Sequence, residues 1–114
     1  MVEVIGSEEF EVWFLELSDP DAEAVARVTG LLEVKGTTLD FPYSSSIRGA
    51  TFALRELRAQ SKGKPLRVFY AFDPKRQAVL LIGGDKTGDE RFYTKMIRLS
   101  EEIWQKYLLE MEDV

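Results

Sequence analysis

Three arginines in two consecutive runs of alternating apolar residues, Arg55, Arg58 and Arg67, are the first candidates for chemistry. Guanidinium groups fix a phosphate through paired hydrogen bonds that an ammonium cannot imitate, so their convergence from adjacent strands would make an anion clamp. Arg55 and Arg58 differ in parity, and a regular strand points them to opposite faces, so all three share one site only across a bulge. Pairing with Glu56 or with acidic helices explains each of them as well as anion binding does. The segment GGDKTGD, Gly83 to Asp89, is the second candidate. It sits between an expected strand and an expected helix, where free backbone N–H groups and the positive end of a helix dipole favour an anion. The segment fits a nucleotide-binding P-loop poorly, because GxxxxGK[ST] needs Gly directly before Lys and Asp85 stands there. The plainer reading is that the glycines make a tight turn and Asp89 caps the helix. Tyr93, just beyond, has core spacing but a polar tip.

The charge distribution favours the same region. Ile47 to Arg98 holds twelve bases against five acids, a balance of +7, within a chain of net charge −5. Met1 to Ser46 holds two bases against ten acids, or −8, and Leu99 to Val114 one against five, or −4. An anionic ligand responds to the local field rather than to the sum, so the cationic middle is where a nucleic-acid phosphate would be met. The acidic helices read as solvated faces, and Trp13 and Trp104 as packing residues.

Composition narrows the chemistry. Histidine and cysteine are both absent. That removes His-dependent triads, HExxH zinc sites, thiol nucleophiles, thiolate metal sites and disulfides, and leaves Lys, Arg, Tyr, Asp, Glu, Ser and Thr to act. A length of 114 residues with 45% apolar content suits one domain, 1–114, around one core. No apolar run approaches the roughly 20 residues that cross a bilayer, and the start lacks a secretion signal, so a cytoplasmic protein is expected.

The elements that would position these residues follow from periodicity and punctuation. Val2 to Ile5 reads as a short strand. Ser7 caps a helix carrying Phe10, Trp13, Phe14 and Leu17. Ser18-Asp19-Pro20 launches a second helix that Gly36 ends, giving a helical hairpin. Thr37 to Ser46 reads as an ordered loop. Three strands, Ala50 to Arg58, Leu66 to Asp73 and Gln77 to Ile82, suggest an antiparallel meander with the last one central. In the second, Leu66, Val68, Tyr70 and Phe72 make an apolar face while the other presents Arg67, there as an exposed cation. A long helix from about Glu90 to Glu110 lies across the sheet, followed by an acidic tail.

The order ALRELR, RVFYAFD, VLLIGGDKTGDERFYTKMI, with two helices before and a long helix after, resembles the RelE/ParE superfamily of bacterial toxins, and within it the HigB-like branch. The motifs are Glu56-Leu57-Arg58, Arg67 to Tyr70, Val79 to Ile82 and Gly83 to Lys86. The resemblance implies an α+β domain, a helical hairpin plus a long C-terminal helix packed on a small antiparallel sheet. It implies a ribosome-dependent endoribonuclease that cuts messenger RNA without metal or cofactor and is silenced by an antitoxin, a small helix-turn-helix repressor. By motif position, Arg67 would stabilise the transition-state phosphate, Arg58 orient the scissile backbone, Lys86 neutralise or protonate, and Tyr93 join in proton transfer. Arg55, Gly84, Thr87 and Lys95 would contact RNA. Members of the superfamily are usually basic overall, and several HigB-like enzymes use a histidine that this chain lacks. A second branch inhibits DNA gyrase and cleaves nothing, so a non-catalytic binding module is the alternative. All of this requires the cationic tips to meet in one concave pocket sized for a ribose-phosphate linkage, and tips on separate sides, or already neutralised by intramolecular carboxylates, would defeat it.

Overall fold

The computed structural model describes residues 1–112. Five strands, β1 (Val4–Gly6), β2 (Ser44–Ser46), β3 (Arg55–Ser61), β4 (Lys64–Phe72) and β5 (Ala78–Asp85), form one sheet in the order β1-β5-β4-β3-β2. Helices α1 (Glu8–Leu15) and α2 (Asp19–Lys35) cover one face and α3 (Phe92–Glu112) the other. The architecture is α+β, with the expected helical hairpin and long last helix. The sheet is mixed rather than antiparallel, because β1 runs parallel to β5.

Local signals fix the helices. The Ser7 hydroxyl accepts the Phe10 N–H at 3.0 Å, and Glu8, Glu9 and Glu11 fill the first turn of α1, where the dipole favours them. Ser18 caps α2 in the same way, Pro20 lies in its first turn, and Gly36 ends it at φ 55°, a conformation open to glycine and costly for other residues. Alternation along β4 then divides the core. Leu66, Val68 and Tyr70 pack with Val25, Val28 and Leu32 of α2, whereas Phe69 and Ala71 pack with Phe92, Met96 and Ile103 of α3.

The boundaries differ from expectation in four places. The segment Thr37 to Ser46 contains β2, a strand of three serines with no propensity signal, held because the buried Ser44 hydroxyl meets the Tyr70 hydroxyl at 2.6 Å. Residues 50–54 are irregular rather than strand. The Ile47 N–H reaches the Leu54 carbonyl at 2.9 Å and closes 47–54 as an excursion between β2 and β3, which itself runs on to Ser61. The central strand is β4, with β5 one place towards the edge. Finally, β5 runs through both glycines to Asp85, and α3 reaches Glu112; Asp113 and Val114, the end of the acidic tail, lie outside the described residues.

Candidate functional site

The β3–β4 register is unbroken, pairing Arg58 with Arg67, Glu56 with Phe69 and Arg55 with Tyr70. Strand parity therefore holds without relief. Arg58, Glu56 and Arg67 share the α3 face, and Arg55 is on the other. The one irregularity lies between Phe69 and Tyr70 on β4 against β5, where Leu81 is the extra residue, and it does nothing for Arg55.

Glu56 is the centre of the site. Its side chain is 5% exposed, and each oxygen has two neighbours. Oε1 accepts the Tyr93 hydroxyl at 2.7 Å and lies 3.5 Å from Arg67 Nε. Oε2 accepts Arg58 Nη1 at 3.2 Å and the Ser45 hydroxyl at 2.8 Å. Lys86 completes the cluster, its ammonium 5.3 Å from the centre of the Tyr93 ring. Burial and the hydrogen bond to the Glu56 carboxylate push the Tyr93 phenol above its ordinary pKa, so it carries its proton through the neutral and mildly alkaline range.

The four residues expected to act, Arg58, Arg67, Lys86 and Tyr93, are thus brought together. Two features of the expectation are overturned. Arg67 is not an exposed cation: its side chain is 4% exposed, and Nη1 donates to the Leu66 carbonyl at 3.0 Å. The guanidinium tips are also not free: Glu56 pairs with both, so the expectation of unneutralised guanidinium groups converging on a phosphate fails for Arg58 and Arg67. Arg58 and Arg67 face one carboxylate and Lys86 lies over the neighbouring Tyr93 ring, so the cluster keeps a surplus of positive charge. Arg58 is the accessible guanidinium, 29% exposed.

The other expected contacts lie elsewhere. Arg55 Nε reaches the Ser44 and Tyr70 hydroxyls at 3.2 and 3.3 Å, and Nη2 the Leu39 carbonyl at 3.4 Å, which ties down the loop before β2. Lys95 pairs with Asp89, whose other oxygen accepts the Arg91 N–H at 3.0 Å in the turn that starts α3. Thr87 donates both its N–H and its hydroxyl to Asp85. Gly84 lies beside Arg67 in the register, and it makes neither a tight turn nor a phosphate cradle. A Cβ there would come within 2.9 Å of Phe92, while a Cβ on Gly83 would come within 2.2 Å of the Trp13 ring. The two glycines let helices close on both faces of β5.

Sequence reasoning missed Glu56 and Ser45 as members of the site. Glu56 was read as a salt-bridge partner of the strand arginines and not as a member of the site, and the parity that sets it beside Arg58 is the available signal. The acidic helices, a concern for a chain meeting RNA, pack on the far face of the sheet. They cover Leu66, Val68 and Tyr70, whereas the cluster opens on the side of α3.

The sequence profile of phage-derived Gp49-like proteins matches residues 12–105. The chain belongs to that family. This Gp49-like chain is 39% identical over 110 residues to a Mycobacterium tuberculosis protein described as a candidate toxin, HigB3, with 92% of each chain covered. It is 32% identical over 109 residues to a second candidate toxin of that organism, HigB2, spanning 93% of this chain and 54% of that one. The HigB-like kinship carried by the ordered motifs is therefore shown, and with it the toxin class of a toxin–antitoxin system. No helix among the described residues is long and apolar enough to cross a membrane.

Proposed function

We propose that this Gp49-like toxin cleaves messenger RNA on the ribosome by transesterification, with Glu56 as the proton acceptor. The observation that carries the reading is one buried carboxylate held between two guanidinium groups and a protonated phenol on the α3 face of the sheet. Attack of a ribose 2′-oxygen on the adjacent phosphorus needs a base for the 2′-proton, cations for the phosphorane and an acid for the departing 5′-oxygen. Glu56 takes the proton. Arg58 and Lys86, which reach solvent, hold the phosphate oxygens. The P–O5′ bond breaks, the 5′-oxygen takes the Tyr93 proton, and the products are a 2′,3′-cyclic phosphate and a 5′-hydroxyl. Tyr93 then recovers a proton, directly or through water, from the protonated Glu56.

Arg67 takes a different part from the one its motif position implies. Buried behind Glu56, it orients the carboxylate and spreads positive potential to the phosphate rather than touching it. Ser45 holds the second oxygen. No step in this scheme uses a metal. The partner proposed to silence the chain is an antitoxin of the helix-turn-helix repressor type.

Cleavage mapping in a translating extract tests the proposal. Truncated messages ending in cyclic phosphate, lost on Glu56→Gln, are the expected result. Intact messages together with blocked supercoiling would transfer the chain to the gyrase-inhibiting class.

A further inference from the structure

We propose that Phe41 is a stacking platform for the base of a nucleotide flanking the phosphate held at Arg58, and so a residue that sets which RNA is accepted. The inference rests on the RNA-cleaving reading for its ligand but on separate atoms for its geometry. Phe41 is 69% exposed, the largest exposure of any aromatic side chain described. An exposed phenylalanine is costly in isolation, yet this one is not on a free loop. The Arg58 guanidinium carbon lies 5.3 Å from the ring centre, so one ring face is backed by the accessible arginine of the site.

The backbone beneath is fixed from three sides. Tyr43 and Ser44 N–H groups both reach the Asp40 carbonyl at 3.1 Å, the Arg58 N–H reaches the Tyr43 carbonyl at 2.8 Å, and Leu39 is buried with its carbonyl held by Arg55. Tyr43 adds a second exposed aromatic, 47% accessible, on the same turn. The arrangement is a rigid π surface sharing a cation with a phosphate-binding cluster. Single-stranded RNA uses that pairing, because every base has a face to stack and its phosphate lies one backbone step away. A base on the open face of Phe41 would leave Arg58 between ring and phosphate, in contact with both. Arg58 touches both the Phe41 ring and Glu56, which places the stacked nucleotide next to the reacting one.

The test uses the full chain carrying Glu56→Gln, which the proposed chemistry makes silent, and a six-nucleotide single-stranded RNA with 2-aminopurine scanned through its positions. Stacking quenches the probe, so one position should lose fluorescence on binding. Phe41→Ala should remove that quenching and weaken binding about thirtyfold, the middle of the range for one stacked base. Phe41→Trp should retain both. With an abasic nucleotide at the quenched position, Phe41→Ala should cost nothing further. Unchanged quenching and affinity in Phe41→Ala, or no quenched position in the parent chain, overturns the platform. The assay reads binding, so the two readings fail separately. Phe41-dependent quenching in a chain whose Glu56 form cuts no message leaves the platform standing and removes only the nuclease, whereas cleavage with Phe41-independent binding does the reverse.

Discussion

Replacing Glu56 by Gln keeps the shape of the side chain and an acceptor for Tyr93 while leaving Arg67 buried without its counter-charge. The Arg67 side chain is 4% exposed, so water cannot take over, and loss of one partner from such a pair costs about 3–5 kcal/mol. Arg58, 29% exposed, is partly solvated already, and its share is below about 1 kcal/mol. A destabilisation of about 3 kcal/mol is therefore the working value, and at about 4 °C per kcal/mol for a chain of this size it lowers Tm by about 12 °C. Urea titration with a constant m-value measures it. The double variant Glu56→Leu/Arg67→Met removes both charges and fills the space, so it should recover more than half of the lost stability. Activity behaves differently. Message cleavage should fall at least about a hundredfold in both variants, at a temperature where both remain folded. A Glu56→Gln chain within about 1 kcal/mol of the parent would refute the ion-pair account, since the margin argued from burial would be missing. A stable, fully cutting double variant would refute the catalytic one.

Three further outcomes can be checked. Gly83→Ala should destabilise by about 1–3 kcal/mol in urea, because its Cβ would meet Trp13 at 2.2 Å, and Trp13→Leu in the same chain should return part of the loss. Because the Tyr93 pKa is raised in the folded state, its bond to Glu56 contributes stability below pH about 10 that is lost as pH rises through the folded value; Tyr93→Phe should flatten that alkaline limb in thermal melts. Asp21 has the opposite sign. Lys64 and Ser61 hold its carboxyl below its ordinary pKa, so the stability it gives is present above pH about 4 and fades as pH falls through the folded value, and Asp21→Asn should lower Tm at pH 7 more than at pH 2.

Much of this arrangement was legible in the chain. Ser7, Ser18-Asp19-Pro20 and Gly36 announce both early helices because caps act within a few residues, and β4 declares its two faces through strict alternation. Parity alone separated Arg55 from Arg58. What escaped was set by contacts distant in sequence. Ser44–Ser46 is a strand because β3 and Tyr70 make it one, the glycine pair is a packing device because Trp13 and Phe92 arrive from opposite sides, and Arg67 is buried because α3 lies over it. Glu56 was noticed only as an ion-pair partner for the arginines, and its central place escaped for the same reason: Tyr93, Arg67 and Ser45 are assembled around it only by the fold.

Both outer strands of the sheet are three residues long, and each is engaged along its outward side or its flanks. The Val2 N–H is taken by the Glu33 carbonyl of α2 beside β1, and in β2 the Ser44 and Ser45 hydroxyls bond inward. Such rims give an incoming polypeptide almost no ladder to continue, which protects the molecule from edge-to-edge self-assembly. An inhibitor that masks this protein must therefore grip it through side chains on helices and turns, and its selectivity will be written in their shapes and charges rather than in main-chain pairing.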